Sequence, residues 1–175
     1  MVFGSASVTP LPAPLFPRPA MRLTEILERE CVRVPLAATD KRGAIEELVD
    51  LIAEHTPIDD AEALKNAVWE RERTRTTGIG HGIGIPHGKS PTVDKLRMAI
   101  GRPAEPVEFE AIDKQPVDLI LLLVSPTDQT GPHIQALARI SRILTDEAFR
   151  AAVKAAPDGE SLYNLIAEHE AAATT

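Results

Sequence analysis

Hydrophobic positions along the chain change period several times, and each change marks an element. Leu23 to Glu30 reads as a short helical stretch, and Cys31 to Leu36 alternates as a strand does. Thr39 or Asp40 can cap a helix whose inward face is Ala44, Ile45, Leu48, Leu51 and Ile52, spaced i, i+1, i+4, i+7, i+8. After Pro57, Asp59 stands three residues before Glu62, a capping arrangement for a second helix with Leu64, Ala67 and Val68 inward, running out near Glu72 to Arg75. Seven of the eight residues from Val117 to Val124 are apolar, which predicts a strand buried on both faces at the centre of a helix-covered sheet. Pro126 ends it. Gly131 and Pro132 open a helix with Ile134, Leu137, Ala138, Ser141 and Leu144 expected inward, proline being suited to the first turn. Two shorter helices, about 147–155 and 159–170, follow. Strands set between helices predict one α/β domain over 21–170, with a short tail at 171–175.

The first twenty residues belong to no such pattern. Prolines at 10, 12, 14, 17 and 19 interrupt every apolar run, and no charge precedes Arg18. That argues against a secretory signal and predicts a disordered proline-rich extension, with Met21 a candidate physiological start.

Composition narrows the chemistry. Of 175 residues, 43% are hydrophobic and 26% charged, the balance of a folded domain. A formal net charge of −7 argues against nucleic acid and against an anionic membrane surface, and it suits a partner with a positive patch. The longest apolar run, Leu119 to Val124, is too short to span a bilayer. One cysteine, Cys31, permits no internal disulfide and fits a reducing, cytoplasmic setting.

The segment Thr76 to Lys89 holds five of the ten glycines, at 78, 80, 82, 84 and 88, with isoleucine at 79, 83 and 85. The alternation predicts an extended segment whose isoleucine face is buried and whose glycine face approaches another backbone or a ligand. It fits neither common nucleotide loop. Counting back from Gly88-Lys89-Ser90, the P-loop glycine position is Ile83, and G-x-G-x-x-G fails at Ile83, Ile85 or His87. There remains His87, between Pro86 and Gly88. A neutral imidazole is a nucleophile near pH 7, and Gly88 N–H, Lys89 and an arginine would suit a phosphoryl group on its ring. A structural histidine in a tight turn is the competing reading. His133 opens the helix beyond the buried strand, at the sheet edge where ligands of α/β proteins bind.

Two blocks carry a family resemblance. Thr77 to Lys89 resembles the phosphorylation signature of fructose/mannitol-type enzyme IIA domains of the bacterial phosphotransferase system. Phe109 to Asp118, the apolar strand, Pro126, Asp128-Gln129-Thr130 and His133 match as well, and most resemble the nitrogen-regulatory branch. The resemblance extends from about Leu23 to Ile166. It implies a mixed β-sheet flanked by helices and a phosphorylatable histidine in a shallow depression. By position, His87 would be the phosphoryl acceptor, His133 the second histidine steadying the group, and Arg71 the arginine contacting it. A small histidine-phosphocarrier protein would be the donor; regulatory targets or a IIB domain would be the onward partners. No cofactor is implied. His81 stands where the family usually has asparagine, and Gly84 where alanine is common; His81 is expected to face solvent.

Three functions are therefore in competition: a regulatory phosphocarrier, a sugar-uptake IIA that hands the group to a IIB domain, and a metal-binding or non-catalytic binding module. For a metal, His81, His87 and His133 with Glu70 or Glu72 would have to converge. A continuous strand would hold His81 and His87 about 20 Å apart, so a shared ion needs the chain to fold back between them.

Overall fold

The apolar run expected at the centre of the sheet forms β6 (Leu119–Ser125), buried throughout. In the computed structural model, which describes residues 20–173, five further strands join it in one mixed sheet. They are β1 (Leu27–Leu36), β2 (Gly78–Gly80), β3 (Ile83–Gly84), β4 (His87–Lys89) and β5 (Arg97–Pro103). The order is β1-β5-β6-β3-β2, and β4 also pairs with β6. β5 runs antiparallel to β6, and β3 and β4 run parallel to it one after the other. The helices are α1 (Lys41–His55), α2 (Ala61–Thr74), α3 (Thr130–Ile143), α4 (Glu147–Ala155) and α5 (Gly159–Ala172). α1 covers β1 and β5 and packs on α2; α2 lies over β4, α3 along β6, and α5 over β1. The chain is thus a single α/β domain with a mixed sheet flanked by helices.

Local chemistry explains most of the boundaries. Asp40, Asp60, Asp146 and Asp158 each accept a backbone N–H three residues on, satisfying first-turn donors of α1, α2, α4 and α5. For α2 the cap is Asp60, not the expected Asp59, whose own N–H donates to Thr92 O. The inward face of α1 is the expected one, with Ala44, Ile45, Leu48, Leu51 and Ile52 all buried.

Four expectations are corrected. The helix expected over Leu23 to Glu30 is only a 3-10 turn at Leu23–Glu25, and β1 begins at Leu27. Leu23 and Leu27, buried four residues apart, imitate a helical face, yet pairing of Leu27 with Met98 places the second in the sheet. β5 has no counterpart among the expected elements. On α3 the buried residues are His133, Ala136, Ile140 and Ile143, whereas Ile134 is 60% exposed and Ala138 and Ser141 face solvent.

The fourth correction concerns the glycine segment, which is not one strand. Gly80 pairs with Ile83 across a two-residue turn at His81 and Gly82, both left-handed (φ 57° and 73°). This reversal explains why Ile79 is 40% exposed while Ile83 and Ile85 are buried. It also gives position 81 a reason: asparagine and glycine tolerate that conformation best, and His81 occupies it at an exposed turn with its N–H held by Asp113. The glycine face does approach a backbone, since a Cβ on Gly78 would lie 2.7 Å from Ala111 Cα.

The expected extension at 1–20 lies outside the described residues but for Ala20, and of the expected tail 174–175 lie outside them. α5 continues two residues past its expected end at 170. No helix among the described residues is long and apolar enough to cross a membrane.

Candidate functional site

Gly88 sets the distance between α2 and the sheet. A Cβ there would stand 3.1 Å from Val68 Cγ2 and 3.2 Å from Val68 Cα, so a side chain would push the helix backbone off β4 by a few tenths of an ångström. Arg71, one turn beyond Val68, thereby borders the same surface as His87, with its Nη1 donating to Arg75 O at 3.1 Å. Beneath it, the side chain of Glu72 is 1% exposed and binds Lys41 Nζ at 2.8 Å. Glu72 also accepts from Thr77 N at 2.9 Å and Thr77 Oγ1 at 2.5 Å. This buried carboxylate ties α2 to α1 and to the start of the glycine segment.

β4 places His87 opposite Leu123 and Lys89 opposite Ser125, the last residue of β6. α3 starts just beyond and delivers His133. The two imidazoles stand with ring centroids 5.6 Å apart. His87 Nδ1 is 2.9 Å from Ile85 O. A carbonyl only accepts, so Nδ1 carries the proton and Nε2 of the neutral ring keeps its lone pair. Burial, helped by Arg71, holds the His87 pKa below the ordinary imidazole value, against opposing pulls from Ile85 O and Glu72. Burial, with the charges of His87 and Lys89, lowers that of His133 to about 4. Both rings are neutral at pH 7.

His87 and Arg71 border two adjoining depressions. One, of about 460 Å³, is completed by Lys89, His133 and Ile134. The other, of about 340 Å³, is completed by Arg75, Ile79, Ile112 and Leu137. Ile79, Ile112 and Ile134 are the exposed large hydrophobic side chains among the described residues, and all three rim this site. Lys89 Nζ donates to Thr130 Oγ1 at 2.8 Å, holding its charge near the start of α3.

The structure therefore brings His87, His133, Arg71 and Lys89 together and leaves His81 away on its exposed turn. The reversal lies at His81 and Gly82, and from Ile83 to His87 the chain runs on along β6 and away from that turn; no group of three or more His, Cys, Asp or Glu among the described residues is placed to hold a metal ion. Sequence reasoning missed Ser125, whose Oγ lies 2.7 Å from His133 Nδ1, and the Glu72–Lys41–Thr77 network. A serine closing an otherwise apolar strand was the one available signal for the first; the second spans α1, α2 and a loop and has no local pattern.

Two imidazoles lining one depression with an arginine and a lysine give it the donors and positive charge that suit an anionic group. Residues 25–169 match the family described as phosphoenolpyruvate-dependent sugar phosphotransferase system, EIIA 2, and the chain belongs to that family. A nitrogen regulatory protein of Bradyrhizobium diazoefficiens is 35% identical over 147 residues, covering 84% of this chain and 95% of the relative. A fructose-specific EIIA component of Haloferax volcanii is also 35% identical, over 146 residues, covering 83% and 95%. In three dimensions the chain resembles the nitrogen regulatory protein IIA-Ntr of Neisseria meningitidis, with a TM-score of 0.74 and 26% identity, covering 82% of this chain and 98% of that one.

Proposed function

We propose that this phosphotransferase-system IIA protein is a cytoplasmic phosphohistidine carrier of the nitrogen-regulatory type. His87 Nε2 is the acceptor, and a small histidine-phosphocarrier protein is the donor. The observation that carries this reading is the lock on His87: Nδ1 is engaged by Ile85 O, which leaves Nε2 as the nucleophile beside Arg71, Lys89 and His133. In the transfer, the Nε2 lone pair forms a bond to phosphorus as the donor's N–P bond breaks, and that electron pair stays on the donor ring. The positive charge created on the His87 ring is carried at Nδ1–H, against Ile85 O and near Glu72. Arg71 and Lys89 balance the phosphoryl oxygens, and His133 donates a hydrogen bond to one of them.

A protein donor fits the rim. Exposed Ile79, Ile112 and Ile134 around a shallow depression suit an apolar protein surface, whereas the glycine segment matches no nucleotide loop. Phosphorylation adds nearly two negative charges at the centre of this rim, enough to change which partners it accepts without moving the fold. The likeness to the Haloferax fructose component favours a second reading, in which the group passes to a IIB domain of a sugar transporter.

Incubation with phosphoenolpyruvate and the general phosphotransfer proteins tests the proposal. One acid-labile, base-stable phosphoryl group is expected on the protein and none on His87→Ala. Label that persists in His87→Ala overturns the assignment. Transfer from phospho-His87 to a purified fructose-type IIB domain would move the onward role to sugar uptake.

A further inference from the structure

We infer that Ser125 is a positioning residue: it fixes the His133 ring as the tautomer with its proton on Nε2, so that the neutral ring presents an N–H donor to the phosphoryl group. The donor's use rests on the carrier role of His87; the tautomer does not.

The argument is one of donors and acceptors. Ser125 is fully buried at the end of β6, with its carbonyl accepting from Ser90 N, so its Cα is fixed by the sheet. Its Oγ lies 2.7 Å from His133 Nδ1, and no second side-chain or backbone partner for this hydroxyl exists among the described residues. Two proton placements are open. If Nδ1 carried the proton, Oγ would accept it, and the serine's own O–H would be left in a dry interior without an acceptor. If the hydroxyl donates to Nδ1, both atoms are satisfied, and the ring proton of a neutral histidine must sit on Nε2. A buried unmatched donor is costly, so the second placement prevails. His133 is itself 4% exposed, and Ser125 is the sole hydrogen-bond partner of its ring among the described residues, so nothing competes for Nε2.

The result complements His87. There a carbonyl takes the Nδ1 proton and frees the Nε2 lone pair; on His133 a hydroxyl fills Nδ1 and leaves Nε2–H. One ring is set as nucleophile and its neighbour as donor, with no proton transfer between them. The partners that make the difference are a main-chain oxygen and a side chain, and only the second can be removed by substitution.

Long-range ¹H–¹⁵N spectra of the histidine rings at pH 7 test the tautomer in the unmutated, unphosphorylated protein. A protonated Nε2 and bare Nδ1 are expected for His133; a protonated Nδ1 overturns the inference. In Ser125→Ala the His133 signals should shift toward a mixture of tautomers, and an unchanged tautomer there also overturns it. Phosphoryl uptake by Ser125→Ala should slow roughly threefold to tenfold, the loss of one hydrogen bond's alignment. Added to His133→Ala, the same substitution should slow nothing further; equal slowing in both backgrounds would show that Ser125 does not act through His133. Should Ser125→Ala fail to fold, the spectrum of the unmutated protein still decides. A protein that takes up no phosphoryl group at all, yet shows His133 protonated at Nε2, refutes the carrier role and leaves the tautomer assignment standing.

Discussion

Lowering the pH from 7 to 5 should destabilise this protein through one ring above all, His133. Its imidazole is buried between β6 and α3 beside His87 and Lys89, and its pKa falls from the ordinary 6.5 to about 4. The folded state therefore resists a proton that the unfolded chain accepts. A depressed folded pKa gives stability that is complete above pH 6.5 and lost as pH falls toward 4. The gap of roughly two and a half pH units is worth about 3 kcal/mol at about 1.4 kcal/mol per unit. Most of it, about 2 kcal/mol, is spent by pH 5. His87, also held below the ordinary value, adds in the same direction. Urea unfolding at both pH values, on the unmutated protein and on His133→Gln, isolates the effect. Glutamine does not titrate, and contributions from the carboxylates are common to both proteins. The unmutated protein should lose about 2 kcal/mol more than the variant between pH 7 and 5. Equal losses, within about 0.5 kcal/mol, would refute the buried neutral ring and with it the charge balance drawn for the site.

Two further outcomes follow from the same geometry. Glu72→Ala leaves Lys41 and both Thr77 donors without their carboxylate, and should cost about 3 kcal/mol in urea unfolding; a loss under about 1 kcal/mol would show the network to be dispensable. Ile112→Asp changes a side chain that is 70% exposed, so the melting temperature should stay constant. Phosphorylation by the donor protein should nevertheless fall about tenfold in kcat/KM, the value of burying part of an isoleucine at an interface; an unchanged rate would remove this rim from the docking surface.

Most of the framework was legible in the sequence because local pattern and fold agree there. The apolar run at Val117 to Val124, the inward face of α1 and its cap at Asp40 each reflect a preference that the tertiary structure reinforces. β1 was misjudged at its start because Leu23 and Leu27 fit a helical period by chance, and only pairing with Met98, seventy-odd residues on, decides otherwise. The glycine segment was misjudged for another reason. With glycine at every second position, each one is equally able to turn, so nothing in the pattern singles out His81 and Gly82 as the reversal.

The site shows the same division at finer scale. His87 and His133 stood out as candidates by residue type and motif, and Arg71 through the family resemblance; the structure brings all three to one depression, but what sets the state of each ring left no such mark. The Nδ1 partner of His87 is a main-chain oxygen, which leaves no trace in residue identity, and that of His133 is a serine eight residues away on another element. α3 carries the clearest lesson. It bears two apolar stripes, Ala136, Ile140 and Ile143 against the core and Ile134 with Leu137 beside His87. Periodicity records that both exist and cannot rank them, since a surface kept for a partner has the same composition as one kept for the interior. The ranking comes from His133: a ring that must reach Ser125 at the end of β6 turns its own face of the helix inward and the isoleucine that follows it outward. The placing of His133 against Ser125 and the exposed rim are thus one rotational setting of α3, and a change that rotated the helix to bury Ile134 would withdraw His133 from the depression.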